Sequence, residues 1–142
     1  MRTAIALFVV IVGCSLRAAD PKPREQAMAW PKDWADHLGK TVTVEGKAID
    51  YKVGAVLESK AGSIYVDKPN GSTHWPNGYW NGDDKSKRLR VTGVVTKRDD
   101  LPVFVQRKGA LPLQGIPVKS KEEAEKAKWR YLLKDTKWTV IE

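Results

Sequence analysis

Between positions 74 and 80 the chain reads His74-Trp75-Pro76-Asn77-Gly78-Tyr79-Trp80, three large aromatic residues and a histidine in seven positions. Aromatic faces stack on bases or on sugar rings. Lys87, Arg88 and Arg90 follow, and cations beside a stacking surface attract phosphate or carboxylate groups. Trp75, Tyr79, Trp80, Arg88 and Arg90 are therefore the candidate ligand-binding residues, and Tyr65 could complete their face. The competing reading is packing. Long loops often fold tryptophans back over an open end of a small barrel, and the cations then form a solvated strand face.

This chemistry is recognition rather than turnover. His37 and His74 are the two histidines, and Cys14 is the single cysteine. No Gly-x-Ser-x-Gly, Walker-type or His-Glu-x-x-His motif occurs. The chain does not offer the three or four N/S ligands that zinc requires. Asp83 and Asp84, with Asn77 and Asn81, could present oxygens to calcium, but they lack the spacing of a dedicated loop and read as turn residues. No catalytic residue, metal or cofactor is assigned, and the expectation is a protein that is not an enzyme. A catalytic reading would need His74 to share a cleft with Asp83 or Asp84.

The elements that must carry these residues are mostly strands. Thr41-Val42-Thr43-Val44-Glu45-Gly46-Lys47-Ala48 and Arg88-Leu89-Arg90-Val91-Thr92-Gly93-Val94-Val95 share one pattern, alternation followed by a glycine. Alternation sorts apolar and polar side chains to opposite faces, and a glycine inside a strand marks a bulge or bend. Strands are predicted over 41–51, 53–59, 63–67, 87–98 and 103–107, with a long loop over 68–86. Asp33 caps a short helix over 34–38, which Gly39 ends. Ser120 and Glu123 form a capping box for a helix over 121–134, with Ala124, Ala127, Lys128, Tyr131 and Leu132 on one stripe. Residues 137–141 alternate again and could add an edge strand.

Five strands, the first and fourth bent at a glycine, resemble the OB-fold, a five-stranded Greek-key barrel. The resemblance rests on residues 39–47, Ser63-Ile64-Tyr65-Val66-Asp67 and residues 89–95, and spans about 41–107. It looks like that of exported bacterial OB-fold proteins of unassigned function and of anticodon-binding-like nucleic-acid domains. The fold expected is thus all-β: a five-stranded OB-fold-like Greek-key barrel with a C-terminal helix. One departure is the polar, aromatic loop 68–86, where many OB-folds place a helix.

The amino terminus has the plan of a secretory signal over 1–19. Arg2 precedes the uncharged apolar run 4–12, and Arg17-Ala18-Ala19 leads into Asp20-Pro21-Lys22-Pro23. Residues 20–32 read as a linker, and 33–142 as a single domain. Export to the periplasm or medium as a soluble protein is the favoured expectation. The alternative is a lipoprotein, since Ile11-Val12-Gly13-Cys14 resembles a lipobox and would anchor the chain to the envelope through Cys14. A membrane partner enters only in that case. Without Arg2 and Arg17, a formal net charge of +8 becomes +6 for the exported part. Such a balance fits an anionic or glycan ligand, or a protein partner; nucleic acid is disfavoured by export. The function expected is a non-catalytic binding module of the envelope or periplasm, for an anionic polymer, oligosaccharide or single-stranded nucleic acid. The alternative is a structural or protein-interaction protein.

Overall fold

The alternation in Thr41–Tyr51 produces an eleven-residue strand, β1. Val42, Val44 and Ala48 belong to the core; on the opposite face Lys47 is exposed, Glu45 half-buried and Thr43 buried. The computed structural model of the chain describes residues 26–80, 85–109 and 114–141. The expected signal segment 1–19, with Cys14, lies outside the described residues. Among those described, no helix is long and apolar enough to cross a membrane.

The remaining strands are β2 (Gly54–Ser59), β3 (Gly62–Val66), β4 (Arg88–Arg98), β5 (Val103–Val105), β6 (Ile116–Val118) and β7 (Arg130–Val140). One α-helix among the described residues, α1 (Lys121–Ala127), separates β6 from β7. Five strands close into a ring of hydrogen-bonded neighbours in the order β1-β2-β3-β7-β4, with β4 returning to β1. Every seam is antiparallel except β3 with β7, which is parallel. The ring encloses an apolar core that includes Val42, Val44, Ala48, Ala55, Leu57, Ile64, Val66, Leu89, Val91, Val95 and Leu133. Burial of that apolar area is what stabilises the chain, since no cysteine occurs after position 14.

Two expectations are corrected. Residues 103–107 do not supply the fifth strand of the ring. Val103–Val105 pairs in parallel with Ile116–Val118 in a separate two-stranded sheet. The fifth ring strand is β7, where the helical stripe had extended the helix to 134. The capping box does form, with the Ser120 hydroxyl accepting from the Glu123 amide at 3.1 Å. The helix stops at Ala127, and the Lys128 carbonyl accepts from the Leu101 amide at 3.1 Å. From Trp129 on, aromatic and β-branched residues dominate, and β3 and β4 offer them two open edges. Tertiary pairing overrides the helical spacing, so the helix is not C-terminal.

The segment read as a linker is docked over its second half. The Met28 amide donates to the Thr43 carbonyl at 2.8 Å, and Trp30 Nε1 donates to the Glu45 carbonyl at 2.8 Å. Met28, Trp30 and Trp34 pack against the core. Asp33 caps a 3₁₀ turn, Trp34–His37, in place of the expected helix.

Gly46 and Gly93, the glycines inside the two long strands, answer different demands. Lys47 pairs with Arg88 of β4 on one side and with Glu58 of β2 on the other, so Gly46 sits at the corner where β1 changes partners. A Cβ there would lie 2.6 Å from the Glu58 carbonyl oxygen and 2.9 Å from Leu57 Cγ. Gly93 lies opposite a bulge in its neighbour. Thr92 pairs with Lys137 but Val94 with Lys134, so β7 carries one extra residue there, and Asp135 has a φ of 52°. A Cβ on Gly93 would meet Thr136 Cγ2 at 2.8 Å.

Candidate functional site

The loop that follows β3 folds back onto the ring. Trp75 is 4% exposed and belongs to the core. Its Nε1 donates to the Val56 carbonyl at 2.9 Å, and its amide donates to Asp50 Oδ1 at 2.9 Å. Tyr79 stacks on it with ring centroids 6.2 Å apart, and Trp138 meets it edge-on at 5.5 Å. Lys87 Nζ lies 4.9 Å above the Tyr79 ring, and the Lys87 amide donates to the Tyr79 carbonyl at 2.8 Å. Trp75 thus plugs the ring and cannot face a ligand, and Tyr79 is committed to covering it. The physical reason is that an aromatic loop lies beside an open apolar interior, and burying the indole there also satisfies its N–H. Trp80 alone of the three keeps a large exposed surface.

His74 stands on the rim. Its Nδ1 is 3.7 Å from Asp50 Oδ1, the oxygen that also accepts from the Trp75 amide. Asp83, Asp84 and Asn81 lie outside the described residues. Among the described residues, no group of three or more His, Cys, Asp or Glu side chains is placed to hold a metal ion.

Arg88 and Arg90 of β4 are brought together, by a carboxylate. Glu45 lies directly opposite Arg90 in the β1–β4 register. Arg90 donates to Glu45 Oε1 from Nε at 2.8 Å and from Nη2 at 2.5 Å. Arg88 Nη2 is 3.9 Å from Glu45 Oε2. Beside this cluster runs a groove of about 680 Å³, lined by Glu45, Gly46, Lys47, Ile49, Glu58, Ser59, Lys60 and Arg88. The lining thus combines one apolar side chain, Ile49, with three cations and two carboxylates. Lys47 and Lys60 were not singled out from the sequence. They stand 13 positions apart there, and only the β1–β2 register, with Lys47 opposite Glu58, brings them to one groove.

Tyr65 belongs elsewhere. The β3–β7 register sets it beside Leu132, and the Arg130 guanidinium lies 4.7 Å over its ring. Arg98, at this end of β4, clasps Asp67 with two hydrogen bonds of 2.8 and 2.6 Å. Arg88 and Arg98 are the two ends of one strand, roughly 30 Å apart when extended. The expected Tyr65, Arg88 and Arg90 face is therefore split in two. Burial pushes the Tyr65 phenol up from its ordinary value, against the charge of Arg130.

Arg130 is a structural clasp. It donates to both oxygens of Asp100, at 2.7 and 2.9 Å, and to the Val53 carbonyl at 3.0 Å. It ties the β1–β2 and β4–β5 connections to the start of β7. A cavity of about 130 Å³ lies beside it, and two ion pairs, Arg98 with Asp67 and Arg130 with Asp100, contribute to its lining. Hydrogen bonding from Arg130 holds the Asp100 carboxyl below its ordinary value of 3.8. A folded-state value that is lowered contributes stability above the unfolded value, and that stability is lost as pH falls through the folded one. Asp100→Asn is therefore expected to flatten the loss of stability below about pH 4. The effect is small, because the Asp100 side chain is 41% exposed. Urea unfolding of both proteins at neutral and acid pH checks this; parallel losses would exclude the pair as a source of acid sensitivity.

No protein-family model matches the chain, and no curated protein or solved structure does. The reading of its function rests on the residues above.

Proposed function

We propose that the protein is a non-catalytic binding module that holds a short anionic polymer in the β1–β2 groove. The observation that carries this is the groove itself, about 680 Å³ with Lys47, Lys60 and Arg88 in its walls. Ligand clefts commonly measure about 300–1,000 Å³. Strong cation placement on a concave surface raises the local concentration of anions. The ring order, with its parallel β3–β7 seam, supports the OB-fold likeness, and that fold presents outer sheet faces and loops to oligonucleotides and oligosaccharides.

The lining favours a charged glycan over single-stranded nucleic acid. Stacking on aromatic side chains supplies much of the energy of single-strand binding, and the groove lining holds no aromatic residue. Sulfate, phosphate or carboxylate groups on a saccharide need only the cations. Export, read from the first 19 residues, agrees with an envelope or extracellular glycan. Calorimetric titration with a sulfated hexasaccharide and with an oligothymidylate, at low and at near-physiological salt, tests the reading. Binding of the saccharide, weakened by salt, is expected. The double variant Lys47→Gln/Lys60→Gln is expected to bind about tenfold more weakly, the loss of roughly 1.4 kcal/mol, with an unchanged thermal midpoint. No binding of either polymer at low salt would overturn it.

A further inference from the structure

We infer that Glu45 is an internal competitor for the anionic group of the ligand, so that it sets the affinity of the groove. This rests on the reading of the groove as an anion site. Glu45 both lines the groove and engages the two arginines beside it. Its Oε1 takes two donors of Arg90, and its Oε2 faces Arg88. A carboxylate held against guanidinium groups occupies the position that a sulfate, phosphate or carboxylate of a ligand would take.

The geometry makes this competition local. Glu45 is tied to β1 at the position directly opposite Arg90, and its carbonyl accepts from Trp30 Nε1. The backbone that carries the carboxylate is thus fixed, and only the side chain can swing away. A ligand anion must either turn Glu45 off Arg90 or reach Arg88 while Glu45 stays in place. In both cases the ligand meets a negative charge in the groove wall. The other lining carboxylate, Glu58, lies opposite Lys47 on β2, and its Oε2 accepts from the Tyr51 hydroxyl at 3.5 Å. The two carboxylates therefore separate a specific competition from a general gain of positive charge.

The test compares the full chain with Glu45→Gln and Glu58→Gln, using the sulfated hexasaccharide as probe. Glu45→Gln is expected to bind about tenfold more tightly, the scale of one charge-assisted hydrogen bond regained. Its affinity should also fall more steeply with salt, since one more ligand charge is neutralised. Glu58→Gln is expected to gain about threefold or less, the exposed-pair scale. Equal gains in the two variants overturn the inference, as does unchanged or weaker binding by a folded Glu45→Gln. Should Glu45→Gln not fold, Glu45→Asp withdraws the carboxylate by one methylene; tighter binding then supports the inference, and unchanged binding overturns it. Binding by the unsubstituted protein with no gain in any Glu45 variant removes this inference and leaves the groove reading standing. Absence of binding by all of them removes both.

Discussion

Replacing Trp75 by alanine is expected to cost about 3–5 kcal/mol of unfolding free energy, the range for deleting a buried aromatic side chain. Three contributions add at this position. The indole fills the end of the ring and contacts Tyr79 and Trp138. Its Nε1 satisfies the Val56 carbonyl, which would be left without that donor. Its loss also frees Tyr79, which is held down by the same stack. Trp75→Phe should keep most of the packing and lose the hydrogen bond, at about 1–2 kcal/mol. Trp80→Ala, at a position 37% exposed, should stay within about 0.5 kcal/mol of the parent. Guanidinium unfolding of the three variants measures the order. A Trp75→Ala protein as stable as Trp80→Ala would show that the loop does not plug the ring.

The second large effect falls on the strand glycines, and its character differs between them. Gly46→Ala drives a Cβ into the backbone oxygen of Glu58, 2.6 Å away. A carbonyl in a ladder cannot step aside without breaking the β1–β2 pairing. The expected cost is about 3 kcal/mol, the upper end of overpacking penalties, and no single side-chain change should relieve it. Gly93→Ala meets first the methyl of Thr136 at 2.8 Å, then the Lys134 carbonyl at 3.0 Å. Its cost is expected near 2 kcal/mol, and Thr136→Ser, which lacks that methyl, should return part of it. A double-mutant cycle measures the coupling. Full additivity of Gly93→Ala and Thr136→Ser would exclude the contact as the source of strain. Neither glycine has a positive φ, so the requirement is space rather than backbone conformation.

The legibility of this chain follows the range of its interactions. β1 runs over Thr41–Tyr51 as alternation predicts, because a half-buried strand writes its two faces into neighbouring residues. The Ser120 cap is equally local. The first half of β7 carries a helical pattern, because Tyr131 and Leu132 fall on one stripe with Ala124 and Ala127, yet the helix ends at Ala127. The deciding fact is the pair of open edges on β3 and β4, roughly 70 and 40 residues upstream respectively, which no local window contains. The candidate site shows the same division. Arg88 and Arg90 were found from their place on one strand. Their counter-ion, Glu45, sits 45 residues from Arg90, and Lys60 enters the groove through a register that only the folded hairpin defines. The aromatic loop carried two opposite meanings, ligand platform or plug, and residue type cannot separate them. What separates them is the apolar interior beside it.

The position of β7 in the chain has a consequence for synthesis. Each of its two partners is made before it, so β3 and β4 wait as open edges while the ring is incomplete. Open edges are templates for pairing with another molecule. β4 carries Arg88, Arg90, Lys97 and Arg98 along its length, and cations on an edge deter such pairing. The same arginines that neighbour the groove in the finished fold therefore guard an unfinished one. Closure by the long-range β3–β7 seam then makes folding slow relative to a helical chain of this size, and hides the edges that the cations had protected.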